Sequence, residues 1–201
     1  DWYRGVEYPK EQERGYASNE DLYVPGYFEM GIKKGETIVF SAATSEIKTS
    51  SLKKLFDTEV DERSPRDNFF HCLVNAAHQF HREKNDDRYI LAGYPWFKCR
   101  ARDTFISLPG LTLSIEENDY FELVMKTAMR GYYEFMEGKP LTAHITEIEQ
   151  PDVPLWAVWA LQQYAKETSK EECHKKYGQF IKDVIRFIQD NKHPNLELKE
   201  N

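Results

Sequence analysis

From residue 48 to about residue 190 the apolar side chains recur at steps of three and four, the period of a helix that lays one face on a core. Phe69, Phe70, Leu73, Val74, Ala77 and Phe80 form one such stripe, behind Ser64-Pro65 as cap and first helical residue. Tyr120, Leu123, Val124, Thr127, Ala128, Gly131, Tyr132 and Phe135 form a second, which stops at Gly138-Lys139-Pro140. Between them Thr104 to about Leu113 predicts a shorter apolar helix interrupted by Pro109-Gly110. Pro154 introduces a helix from Leu155 to Thr168. Ser169 and Glu172 then have capping-box spacing ahead of Tyr177, Phe180, Ile181, Val184, Ile185 and Ile188. His193-Pro194 cannot continue that last helix. The expected body is therefore mainly α, helices joined by short and medium loops.

Residues 1–47 read differently. Gly5, Gly15, Gly26, Gly31 and Gly35, with Pro9 and Pro25, punctuate an extended segment, and Lys33-Lys34-Gly35-Glu36 marks a turn before a strand-like run from Glu36 to Ala42. The expected organisation is an extended or β lead-in over 1–47, from a preceding domain or linker, followed by a helical domain over 48–201.

Charge removes several classes of function. A formal net charge of −7 leaves no basic stripe to neutralise phosphates, which argues against nucleic acid, whereas a neutral polymer meets no such objection. No run of 18 apolar residues occurs, so no membrane span is expected. Asp1-Trp2-Tyr3-Arg4 lacks a signal-peptide pattern. Cys72, Cys99 and Cys173 are odd in number and scattered, which reads as reduced thiols in a cytoplasmic protein.

The stretch from Leu91 to Gly110 carries the densest chemistry. Tyr94, Trp96, Arg102 and Asp103 offer flat aromatic faces for sugar C–H surfaces and charged groups for sugar hydroxyls. Packing at a helix start is the bland alternative for the same residues. Further on, Gln150-Pro151-Asp152-Val153-Pro154-Leu155-Trp156 sets a carboxylate at a helix entrance, forty-nine residues after Asp103. There Asp152 has the position of a helix N-cap as well.

Gly93-Tyr94-Pro95-Trp96-Phe97 followed by Arg102-Asp103-Thr104-Phe105-Ile106-Ser107-Leu108-Pro109-Gly110 resembles the glycogen debranching enzyme family, in its amylo-α-1,6-glucosidase domain. The block around Asp152 is similar to that family's Asn-x-x-Asp-Ala-x-Leu-Trp. Arg14-Gly15 and the run from Glu20 to Phe28 resemble the segment that leads into the domain in microbial members. The chain departs from the pattern at Arg100-Ala101, where the family has Trp-Gly, and at Gln150-Pro151-Asp152-Val153, which keeps the carboxylate and changes its neighbours.

The resemblance implies the opening helices of an (α/α)6 toroid, arranged as hairpins, with the remaining helices supplied by a longer parent polypeptide. It implies Asp152 as general acid, Arg102 and Asp103 as the clamp on the terminal glucose, Trp96 as a wall of that subsite, and Tyr94 and Trp156 on its border. Hydrolysis needs a second carboxyl group. In the family that base is a Glu beyond the stretch corresponding to Asn201, so the chain alone is expected to turn over nothing. The activity implied is inverting hydrolysis of α-1,6-linked glucose at branch points, on glycogen, limit dextrin or maltooligosaccharide, with no metal or organic cofactor. The apolar neighbours of Asp152 are expected to raise its pKa, as a proton donor requires. Glu147 and Glu149 read as a loop charge cluster.

Three weaker patterns complete the reading. His71, His78 and His81 share one predicted helix, where two could share a face as metal ligands, but no carboxylate or Cys completes a set and they read as helix-surface or interface histidines. Cys99 between Lys98 and Arg100 is expected to have a lowered pKa. Trp159 is assigned to the core. The competing functions are another (α/α)6 glycosidase of the glucoamylase type, a non-catalytic α-glucan-binding module, and a helical interaction domain in which the motifs only pack.

Overall fold

A computed structural model describes residues 1–94 and 97–199 and divides them into two compact units, Asp1–Val60 and Asp61–Asn201. In the first, β1 (Trp2–Glu7) and β2 (Asn19–Tyr23) pair antiparallel around the short helix α1 (Pro9–Glu13). Gly35, at φ +89°, closes a turn in which the Glu36 N–H donates to the Lys33 carbonyl at 3.0 Å, at the position the sequence predicted. The expected strand from Glu36 to Ala42 does not form, because among the described residues no other segment pairs with it. The unit ends in α2 (Leu52–Asp61).

The second unit holds α3 (Phe69–His78), the hairpin β3 (His81–Lys84) and β4 (Asp87–Ile90), β5 (Cys99–Arg100), α4 (Ala101–Leu111), α5 (Asn118–Met136), β6 (Ile145–Thr146), α6 (Val153–Glu167) and α7 (Lys170–Gln189). The chain is mainly α, with seven helices among the described residues. Helix ends follow local chemistry. The Ser169 hydroxyl accepts from the Glu172 N–H at 3.0 Å, and Gly138 at φ +65° lets the Lys139 N–H return to the Glu134 carbonyl at 2.8 Å.

Two boundaries differ from the sequence reading. Helix α3 begins after Asn68, whose side chain accepts from the His71 N–H at 2.8 Å, so the cap is an Asx residue four positions beyond Ser64. Ser64 instead has its backbone read by the buried Asn75, which accepts from the Ser64 N–H and donates to its carbonyl. Phe69, Phe70 and Leu73 stay exposed. Helix α4 starts three residues before Thr104 and runs through Pro109, followed by a 3-10 turn at Leu113–Ile115.

The core forms where α4, α5, α6 and α7 meet. Leu108, Phe121, Met125, Tyr132, Val153, Ala157, Ala160 and Tyr164 are wholly or almost wholly buried. Phe121 and Tyr164 stack across it with centroids 4.9 Å apart, and Phe180 meets Tyr132 edge-on at 5.9 Å.

Polar contacts tie the strands to this core and so carry the site loops. The Arg130 guanidinium on α5 grips Asp87 on β4 at 2.8 and 2.6 Å. Tyr89 donates to the same Asp87 and accepts from the His144 N–H at 3.1 Å. That sets the approach to β6, which runs parallel to β5 with Cys99 opposite Ile145 and Arg100 opposite Thr146.

Candidate active site

The β5–β6 pair places the start of α4 beside the start of α6, and there the two sequence motifs meet. Arg102 Nε lies 2.8 Å from Asp152 Oδ2, and Arg102 Nη2 donates to Asp152 Oδ1 at 2.9 Å. This is a two-pronged guanidinium–carboxylate pair between residues fifty apart. Trp156, one turn into α6, donates its indole N–H to Asp152 Oδ2 at 3.1 Å and meets Trp159 edge-on at 5.7 Å. Asp152 holds the N-cap position of α6 without making a side-chain cap bond.

The electrostatics of Asp152 run opposite to the sequence expectation. Desolvation pulls its carboxyl upward, but hydrogen bonds from Arg102, its own backbone N–H and Trp156, with the Arg102 charge, outweigh it and hold the pKa below the usual aspartate range. The apolar sequence neighbours Val153 and Pro154 are buried in the core, while the carboxylate itself faces two donors.

Beside Arg102 opens a cavity of about 270 Å³, lined by Phe80, Leu91, Ala92, Arg102, Asp103, Ile106, Ser107 and Leu111. Its volume lies just below the range of roughly 300–1,000 Å³ usual for drug-sized ligands. Asp103 contributes to this wall, and among the described residues no side chain pairs with its carboxylate. Sequence reasoning had named only Arg102 and Asp103 of this group. Ser107 and Ile106 were findable from their spacing to Asp103 on α4, whereas Phe80, Leu91 and Ala92 flank the β3–β4 hairpin, whose path no local pattern specifies.

Tyr94 does not line the cavity. Its hydroxyl donates to the Gln79 carbonyl, its ring centroid lies 6.0 Å from that of the cavity residue Phe80, and the Arg82 guanidinium sits over the Tyr94 ring at 5.6 Å from its centroid. Trp96 lies, with Pro95, outside the described residues. Arg100, where the family carries Trp, is 3.1 Å from the Glu147 carboxylate and 4.8 Å from the Phe97 ring centroid. Cys99 also reverses expectation: burial raises its thiol pKa, and the opposing charge comes from Arg82.

One set of metal-ligating side chains gathers among the described residues, His78, His81 and Glu117, with donor atoms within 4.8 Å of one another. The sequence reading found no carboxylate for these histidines because Glu117 reaches them from the head of α5, thirty-nine residues after His78.

No helix is long and apolar enough to cross a membrane among the described residues. No curated protein and no solved structure matches the chain significantly. Two family profiles do: "Glycogen debranching enzyme N terminal" over residues 1–39, and "Amylo-alpha-1,6-glucosidase" over residues 73–199. The second covers more than half of the sequence and contains both motifs that converge on Asp152. The chain belongs to the glycogen debranching enzyme family, and its larger part is an amylo-alpha-1,6-glucosidase domain.

Proposed function

We propose that residues 48–201 supply the acid side of an α-1,6-glucosidase site acting on glycogen-like α-glucans, with Asp152 as general acid. Arg102 and Asp103 clamp the terminal glucose, Trp96 walls it, and Tyr94 and Trp156 border it. The observation that supports this reading is the two-pronged contact between Arg102 and Asp152, since Arg102 also lines a cavity of a size suited to one sugar. α4 to α7 would be opening hairpins of an (α/α)6 toroid.

As it stands, Asp152 has the wrong protonation for a proton donor at neutral pH. Sugar hydroxyls entering the cavity compete for the Arg102 donors and turn the guanidinium toward Asp103 and substrate. Asp152 then keeps its desolvation and loses its strongest counter-charge, so its pKa climbs toward the working range. The proton passes to the glycosidic oxygen as the bond to the anomeric carbon breaks, and a water activated by a second carboxylate attacks from the opposite face with inversion. Glu147 is a poor second carboxylate, being engaged by Arg100. The family resemblance implies a base in another part of a longer parent protein, and on that reading residues 1–201 alone have no turnover. Three unpaired thiols suit a reducing, cytoplasmic setting.

Glucose release from a limit dextrin tests both halves. The parent protein should release it and lose it on Asp152→Asn, and residues 1–201 should release none. Release by residues 1–201 that Asp152→Asn abolishes would overturn the second half. The ionised state of Asp152 favours one other reading, a non-catalytic α-glucan-binding module. Saturable maltooligosaccharide binding sensitive to Trp96→Ala and Asp103→Ala, with no hydrolysis by the parent, would select it. Binding indifferent to both substitutions would leave only a helical interaction domain.

A further inference from the structure

We propose that His78, His81 and Glu117 form a divalent-metal site of the zinc class, which pins the end of α3 and the start of β3 to the head of α5. His81 Nε2 lies 2.9 Å from the Leu111 carbonyl. A carbonyl only accepts, so Nε2 carries the proton and, in the neutral ring, Nδ1 presents its lone pair. Nδ1 lies 3.6 Å from Glu117 Oε2. Two acceptors set against each other at this distance repel unless a proton on Nδ1 or a metal cation stands between them. Tetrahedral zinc with bonds near 2.1 Å separates its ligand atoms by about 3.4 Å, which matches the gap.

The remaining donor is His78 Nε2, 2.6 Å from Glu117 Oε1. This contact is a hydrogen bond without metal. With metal bound, the proton moves to Nδ1 and Nε2 becomes a ligand. The support around the ligands is of the kind that metal sites use. The Leu111 carbonyl fixes the His81 tautomer, and the Tyr120 ring stacks on His81 at 4.0 Å with planes 11° apart. His78 and Glu117 are each about one-third exposed, at 39% and 33%, so an ion can reach them and a water can complete the coordination. Glu116 and Asp119 line the adjoining surface depression with Glu117 and draw cations toward it. Two imidazoles and one carboxylate select Zn²⁺ and its late transition-metal neighbours over Mg²⁺. Because Leu111 also lines the cavity beside Arg102, the ion would stiffen one wall of that cavity.

The test uses the untagged 201-residue chain, stripped with a chelator and titrated calorimetrically with Zn²⁺ alone. One equivalent should bind saturably and raise Tm, Mg²⁺ should do neither, and Co²⁺ should give a four-coordinate ligand-field spectrum. Glu117→Gln and His78→Gln should each weaken binding by about tenfold or more, with far-UV circular dichroism unchanged. His71→Gln, outside the trio, should bind like the parent chain. Absence of binding, or binding that both Glu117→Gln and His78→Gln leave intact, would overturn the proposal and reduce the trio to a hydrogen-bonded corner.

Discussion

Replacing Arg102 with Ala isolates the interaction that joins the two motifs. The substitution removes two charge-assisted contacts to Asp152, at 2.8 and 2.9 Å, and leaves the Trp156 donor at 3.1 Å and the residue's own backbone N–H. Both side chains are substantially exposed, 49% for Arg102 and 36% for Asp152, so solvent screening holds the stabilisation to about 1 kcal/mol, the upper end for such pairs. For a unit of this size that corresponds to a fall in Tm of roughly 2–4 °C at pH 7. The sign of the pH dependence follows from the depressed carboxyl. Its contribution is present above the unfolded pKa of about 3.9 and is lost as pH falls through the lower folded pKa. The Tm gap between wild type and Arg102→Ala should therefore be full at pH 7 and close as pH falls below that folded value. In parallel, carbon-13 NMR titration should report an Asp152 pKa that rises on Arg102→Ala. A Tm gap that persists unchanged at acid pH, or an Asp152 pKa that stays put, would refute the account of what holds this carboxylate ionised.

Two further outcomes probe the helical body. Ser169→Ala removes the acceptor for the Glu172 N–H and should cost about 1 kcal/mol in urea unfolding, whereas Ser169→Asp should cost almost nothing. Tyr132→Phe deletes a hydroxyl that is buried without a hydrogen-bond partner, while the ring keeps its place in the core. It should stabilise the fold by about 1 kcal/mol, and a loss of stability in the same assay would mean the hydroxyl is satisfied.

Much of the helical body was legible because its signals are short-range. The stripe from Tyr120 to Phe135, the Ser169 cap, Pro154 in the first turn of α6 and the Gly138 stop each act within one or two turns, and each forms where the sequence put it. Where a local signal had a rival, the reading failed. Ser64-Pro65 and Asn68 both offer caps, and Asn68 takes the helix because Ser64 is claimed by Asn75 eleven residues on. The run from Glu36 to Ala42 has strand composition, yet a strand needs a partner's hydrogen bonds, which composition does not supply.

The site divides along the same line. The sequence alone singled out Arg102, Asp103 and Asp152 as candidates, since their immediate neighbours carry the family motifs. Only the tertiary structure decided what they meet. Arg102 pairs with Asp152 because parallel pairing of β5 and β6 brings two helix starts together across fifty residues. Asp152 is ionised because donors converge on it in space, against the apolar residues beside it in the chain. Glu117 joins His78 and His81 because α5 begins where α3 ends. Helix period and capping are properties of a few consecutive residues, whereas a carboxylate's pKa and partners depend on where distant backbone segments pass.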